Sequence, residues 1–500
     1  MDPQKTMTDK YETVIGLEVH SQLLTTSKMF CPCGSDYQDS EPNTQVCPVC
    51  MGMPGVLPVV NKKAVDLVIK TGLALNCYIS PETKFDRKNY PYPDLMKGYQ
   101  ISQFDIPIAL NGNLAIKVED ANEKQVGITR VHLEEDVAKL IHRKEPYGDS
   151  YSLLDINRAG VPLMEIVSEP DMSSPEEANE YLTNLHSIIR FVETSTANME
   201  EGSFRCDANI SIRPVGSKEL GAKVEIKNVN SFRSVFRALK HEETRQRKLL
   251  ESGQTIEQET RGWSDERGTT LSQRTKEYAA DYRYFPEPDL PPILISRDWV
   301  KKIQTQIPEL PSAKKERYIE VLGLSEYDAS VMIADKEATV LFETSLPFLS
   351  QSMNSKDAAK TVANWINVDL NRMKNEHKST WNEIKIEPEE LAKLVLLVDA
   401  GKISNSMAKA VFDEMFINGG DPNKISEDKG LSQINDTESI QNVVSEILLE
   451  NPSAVEDYLD GKDSAVRFLV GQVMKKTKGQ ANPQVASEMV TAELGRKREP

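Results

Sequence analysis

The chain has 500 residues, 39% hydrophobic and 27% charged, and carries a formal net charge of −17. At roughly 100–200 residues per domain, that length predicts two to four domains. The composition points away from a membrane protein or a secreted disulfide scaffold. No apolar run approaches the ~18–20 residues that span a bilayer. Met1–Lys10 is polar and lacks the apolar stretch of a secretory signal, and six cysteines in this length do not make a disulfide framework. The expectation is a cytoplasmic protein in a reducing compartment, with no membrane association. The acidic balance argues against nucleic acid, whose backbone is bound by Lys and Arg. Two segments run the other way: Lys227–Leu250 holds seven Lys/Arg against two Glu, and Gly471–Pro500 six against three.

In chain order, β-rich runs come first, at Thr13–Val19, Ala115–Val118, Gly127–His132 and Ala208–Ile212, separated by turn signals such as Asn111-Gly112-Asn113. Two helices interrupt them. Pro175–Val192 opens after Ser173-Ser174 with Pro175 in the first turn. Ser231–Leu250 carries Phe232, Val235, Phe236 and Leu239 at helical spacing, with Asn230 or Ser231 as cap. Without a repeating βαβ rhythm, the expected class is α+β. A proline-dense stretch (Pro286, Pro288, Pro291, Pro292, Pro308, Pro311) marks a boundary. Helices are then predicted at Ser312–Leu322, Tyr327–Glu343, Ala358–Asn371 and Glu387–Asp399. A second shift at Gly401-Lys402-Ile403 leads into a small helical bundle with a polar loop at Lys475–Pro483. The expected domains are 1–295, 296–400 and 401–500.

The sharpest local signal is Cys31-x-Cys33 followed by Cys47-x-x-Cys50. Two close thiolate pairs can close a tetrahedral site, and four sulfurs favour a structural Zn²⁺. Along a strand, residues i and i+2 share a face. Glu18 and His20 therefore project together, as do His132 and Glu134, with Glu135 on the other face, and Asp207 and Asn209. Carboxylates with one imidazole suit Mg²⁺ holding a phosphate; three solvated strand ends are the plainer reading. There is no P-loop and no dinucleotide-binding glycine turn. ATP phosphates would therefore rely on metal and on scattered cations, with Arg130, Arg158, Arg205, Lys223 and Lys227 as candidates. Cys206 reads as a buried structural thiol rather than a nucleophile. Tyr90 and Tyr92 can stack on a base or pin their loop to the core, and Asp281–Pro288 has the same character. Lys475, Lys476, Lys478 and Asn482 offer contacts to an RNA backbone.

Six runs together resemble one family: Tyr11–His20, Pro54–Pro58, Phe85–Tyr90, His132–Asp136, Arg205–Asn209 and Asp281–Asp289. With the terminal Gly471–Met474 and Lys478–Pro483, they are similar to the B subunit of the glutamine-dependent aspartyl/glutamyl-tRNA amidotransferase, from about Tyr11 to Leu494. The resemblance implies a cradle-shaped α+β catalytic domain, a helical domain and a small helical tail that binds tRNA. It implies a carbon–nitrogen ligase: ATP phosphorylates the side-chain carboxyl of Glu or Asp misacylated to tRNA, and ammonia displaces the phosphate. It also implies an amidase subunit that supplies the ammonia, and a small third subunit that completes a heterotrimer. The Mg²⁺ ligands it implies are Glu18, His20, Glu135 and Asp207, with Glu134 in reserve, and it accommodates a zinc knuckle. A non-catalytic tRNA-binding scaffold and a metal-dependent phosphohydrolase are the competing readings.

Overall fold

The computed structural model describes residues 10–118, 123–144, 150–275, 282–431, 437–460, 464–477 and 483–498, with the single residues 148, 462 and 481. Alternation sets its centre. In β1 (Tyr11–Gln22), Thr13, Ile15, Leu17, Val19 and Ser21 are buried on one side, while Gly16, Glu18 and His20 face the other. Around β1 lie β2 (Tyr78–Ile79), β3 (Glu82–Thr83), β4 (Asp86–Asn89), β5 (Tyr99–Ser102), β6 (Ala109–Lys117) and β7 (Glu123–Glu135). The chain continues through β8 (Lys139–Lys144), β9 (Ser150–Asp155), β10 (Pro162–Ser168), β11 (Phe204–Pro214), β12 (Val224–Lys227), β13 (Glu259–Ser264), β14 (Thr269–Thr275) and β15 (Phe285–Pro286). Among the described residues, one nine-stranded sheet runs β14-β13-β12-β11-β1-β10-β7-β6-β2. Every pairing in it is antiparallel except β12 with β13. A smaller sheet, β15-β4-β5, adjoins β7.

Helices α1 (Lys62–Ala74), α2 (Pro175–Phe191) and α3 (Phe232–Glu251) pack on the large sheet: α1 and α2 on β6, α3 on β11. They bury the Ile15–Leu17–Val19 side in the first core, and an antiparallel sheet covered on one face leaves the other to polar residues. The predicted caps hold. Ser174 accepts from the Glu177 N–H with Pro175 at the helix start, and Ser231 accepts from the Ser234 N–H. Asn111-Gly112-Asn113, predicted as a turn, lies inside β6. Asn111 takes the left-handed conformation (φ 54°) without shifting the register. Gly112 is there for close packing, since a Cβ would collide with Cys77 Sγ and the Leu75 carbonyl.

The chain divides into units 1–311 and 312–500. The first boundary thus falls after the expected 295, because Val300 and Ile303 of helix Arg297–Gln304 belong to the first core. The expected helix Tyr327–Glu343 is two helices, Glu326–Ile333 and Lys336–Ser345. Asp335 caps the second by accepting from the Glu337 N–H. The expected Ala358–Asn371 is helix Ser355–Asn364 running into a π-helical stretch, Trp365–Leu370. Residue 400 is no boundary: Met407, Val411, Phe412 and Met415 of helix Asn405–Asn418 lie in the second core with Tyr318 and Phe342. A third core begins only at Ile440.

This predicts how truncations behave. Each of those four buried side chains contributes about 1.5–3 kcal/mol, together comparable to a domain's whole stability of about 5–15 kcal/mol. A chain ending at Ala400 should lose the cooperative melt of the helical unit, whereas one ending at Leu431 should keep it. Circular-dichroism melts decide, and an unchanged melt at Ala400 would remove the helix from the core.

Candidate functional site

The register of β1 assembles the site. His20 lies opposite Glu165 on β10 and Arg205 on β11, and Glu165 lies opposite His132 on β7. Directly opposed residues of antiparallel strands point to the same side, so four charged or polar side chains form one row across the sheet. Two residues along, Glu18 lies opposite Asp207 and Val167, and Val167 opposite Arg130. Both rows are on the face the helices leave open. They border a cavity of about 450 Å³, which Lys88 of β4, Gln103, Phe104, Tyr282, Tyr284, Lys223 and Lys227 also line.

His20, Glu134 and Glu165 each offer a ligand atom within 4.8 Å of the others. His20 Nε2 is 3.2 Å from Glu165 Oε2, and His132 Nε2 is 3.5 Å from both Glu165 and Glu134. Ser102 Oγ donates to Glu134 at 2.6 Å and Gln100 Nε2 at 3.2 Å, which fixes that carboxylate. Burial disfavours a charge on His20, but the Glu165 carboxylate outweighs it and raises the imidazole pKa. Burial likewise opposes ionisation of Glu134, yet the Lys88 ammonium, 3.7 Å away, brings it down to about 2. Glu165 is held well below the usual carboxylate range against its own burial by His132 and His20. The result is two buried carboxylates kept ionised beside an imidazole, a donor set that fits a hard divalent cation.

Of the residues expected from sequence, Glu18, His20, Glu134, Asp207, Arg130, Lys223 and Lys227 line this cavity. Glu135 does not. Strand parity turns it to the opposite side of β7, where Lys97 pairs with it and the Ile101 N–H donates to it at 3.0 Å. It cannot join His20, and Glu134 stands in its place. Arg158 and Arg205 are also absent from the lining. Arg205 donates to the buried Asp136 at 2.9 Å, and Arg158 donates to the carbonyls of Val137 and Ala138. Asp207 is bonded by Lys227 at 2.8 Å, and Glu18 by Asn209 at 3.0 Å. Sequence reasoning missed Glu165 and Lys88. The available signal for Glu165 was a lone acid inside the apolar run Pro162–Ser168.

The aromatic segments resolve partly. Tyr90 packs edge-on against Tyr282 at 5.7 Å and Tyr284 stacks on Phe104 at 4.2 Å, whereas Tyr92 is exposed. Asp281 lies outside the described residues, as do Lys478 and Asn482. Lys475 and Lys476 end helix Ser464–Lys476 rather than occupying a loop, and Lys476 pairs with Glu446 and Glu450 at 2.7 Å. Cys206 is buried, and burial pushes its thiol well above the ordinary value, as suits a structural residue.

Cys31, Cys33, Cys47 and Cys50 come together with their sulfurs within 4.8 Å of one another and form no disulfide. Tetrahedral Zn²⁺ with Zn–S bonds of about 2.3 Å separates its sulfurs by ~3.8 Å, and Cys47 and Cys50 are 3.9 Å apart. Cys50 accepts from the Cys47 N–H at 3.1 Å and lies 3.7 Å from the buried Lys28 ammonium. Its thiol is lowered to about 4, first by hydrogen bonding from Cys31. The set fits a structural metal ion.

Residues 13–301 match the GatB/GatE catalytic domain, and 348–494 the GatB domain. The aspartyl/glutamyl-tRNA(Asn/Gln) amidotransferase B subunit of Dehalococcoides mccartyi (strain CBDB1) is 56% identical over 97% of this chain and 99% of its own length. That of Thermoanaerobacter pseudethanolicus is 51% identical over 97% and 100%, and that of Thermodesulfovibrio yellowstonii 50% over 96% and 98%. With an α+β sheet domain, a helical region following it in sequence and these matches along nearly its whole length, the chain belongs to the family of aspartyl/glutamyl-tRNA amidotransferase B subunits.

Proposed function

We propose that this chain uses ATP to phosphorylate the side-chain carboxyl of Glu or Asp misacylated to tRNA, and that ammonia then completes the amide. The γ-phosphoryl passes to a carboxylate oxygen, giving an acyl phosphate and ADP. Ammonia attacks the carbonyl carbon, phosphate leaves, and Gln-tRNA or Asn-tRNA results. The observation that carries this reading is the convergence of His20, Glu134 and Glu165 on the open sheet face, ringed by Lys88 and Arg130. A carboxylate is a poor electrophile, and phosphorylation supplies its leaving group. His20, Glu134 and Glu165 would hold Mg²⁺, with Glu18 and Asp207 one row along, and the ion would offset charge on the transferring phosphoryl group. Arg130, Lys223 and Lys227 present cations to the phosphates from the same wall.

The chain shows no amidase signature, so ammonia comes from a glutamine-hydrolysing partner subunit, braced by a small third subunit in the same cytoplasmic heterotrimer. The four cysteines hold one Zn²⁺ as a structural ion. Lys475 and Lys476 serve tRNA from the tail. A scaffold without catalysis has no need of ionised carboxylates beside a cationic cavity. The deciding measurement is phosphate release by the chain with its amidase partner, with and without Glu-tRNA. Release that depends on misacylated tRNA is expected. Steady release without it would make the protein a phosphohydrolase, and no release at all would make it a scaffold.

A further inference from the structure

Lys28 is one of the most deeply buried side chains of the sheet domain, 1% exposed. Among the described residues no carboxylate pairs with it. Its Nζ donates to the Gln45 carbonyl at 2.7 Å and lies 3.7 Å from Cys50 Sγ. A buried ammonium is costly unless negative charge stands against it. A carbonyl is neutral and does not supply that charge. The thiolates of the cysteine quartet do.

The same residue is tied to both halves of the quartet. Its backbone N–H donates to the Cys33 carbonyl at 2.9 Å, which closes the loop carrying Cys31 and Cys33. Its side chain reaches Gln45, two residues ahead of Cys47, and Cys50 itself. The turn at Gly160 (φ 84°) packs on both groups: a Cβ there would lie 3.5 Å from Lys28 Cδ and 3.6 Å from Cys50 Cβ. Four thiolates around one divalent ion leave a net charge of about −2, and a buried ammonium offsets half of it. Cys50 receives most of the compensation, because it also accepts from the Cys47 N–H at 3.1 Å. Donors on a ligand sulfur hold it in place and draw off the electron density with which it attacks electrophiles.

We propose that Lys28 is a positioning residue of the metal site, the buried counter-charge that shields the zinc-bound thiolates, Cys50 above all, from electrophiles. The proposal rests on the reading of the quartet as a zinc site.

The test uses the full zinc-loaded chain and compares Lys28→Met, similar in length but uncharged, with Lys28→Arg, which keeps the charge. Iodoacetamide is the probe. A thiolate sulfur bonds to its carbon, iodide leaves, and the thioether formed lets go of zinc, which a chromogenic chelator reports. Release should be about tenfold faster in Lys28→Met, the size of one charge-assisted hydrogen bond, and near the unsubstituted rate in Lys28→Arg. Peptide mapping supplies the second readout. In the unsubstituted protein the half-buried Cys33 and Cys47 should react before the buried Cys50, whereas in Lys28→Met Cys50 should react with them. A knuckle merely loosened by lost packing would instead speed all four cysteines alike and keep their order, which overturns the proposal, as does an unchanged release rate. If Lys28→Met purifies without zinc, Lys28→Arg decides: zinc kept at the normal release rate supports the counter-charge, and zinc lost there too overturns it. Failure of the zinc reading looks different, because the unsubstituted chain would then hold no zinc, and the proposal would fall with it.

Discussion

Glu165→Gln should reduce amidation of Glu-tRNA by about 10³-fold or more while tRNA affinity stays within about twofold. A metal-type stabilisation of a transferring phosphoryl group is worth several kcal/mol, and each 1.36 kcal/mol is tenfold in rate. The substitution is isosteric and removes only the charge that His20 and His132 flank at 3.2 and 3.5 Å. Glu135→Gln is the informative partner. Its side chain meets Lys97 and Ile101 on the other side of β7, so activity should survive there with at most a small loss of stability. The inverse result, an active Glu165 variant and a dead Glu135 variant, would return the metal site to the ligand set that resemblance alone suggests. Equal activity of both would favour the scaffold.

The second large effect concerns the four cysteines. Purified protein should contain about one Zn per chain, and Cys50→Ser should lose it. In isolated peptides a structural zinc supplies about 10–16 kcal/mol of apparent folding free energy. Here the loss should be local, because Met29 and Phe30 at the edge of the knuckle are anchored in the first core independently of the metal. Limited proteolysis should therefore cut the Cys50 variant between residues 31 and 59 while the rest of the sheet domain resists. A variant that keeps its zinc and its digestion pattern would rule out a closed four-thiolate site.

Much of the site was legible because strand parity is local. Glu18 with His20, and His132 with Glu134, share a face whatever the fold around them. Which strands become neighbours is not local. Glu165 entered the site only because β10 pairs with both β1 and β7, and within its own run it looked like a stray acid. Glu135 shows the reverse error: a family pattern placed it among the ligands although parity already set it apart from Glu134. Arg158 and Arg205 were credible phosphate contacts until the buried Asp136 supplied another partner nearby. Helix positions were recovered closely where caps were explicit, as at Ser174 and Ser231. They failed where a mid-run Asp335 restarts a helix, and a turn was misread where a glycine serves packing inside a strand, as Gly112 does.

The placement of β1 at the centre of the sheet also bears on how the chain is made. Glu18 and its hydrogen-bond partner Asn209 are 191 residues apart. At a synthesis pace of about 5–20 residues per second, the first strand leaves the ribosome roughly 10–40 s before its second neighbour exists. Until β10 follows, the apolar strand has two unpaired edges, and until β11 follows it keeps one, which is the template that other chains join. Holdase chaperones should bind the nascent chain at Tyr11–Gln22, and release should follow translation of Phe204–Pro214.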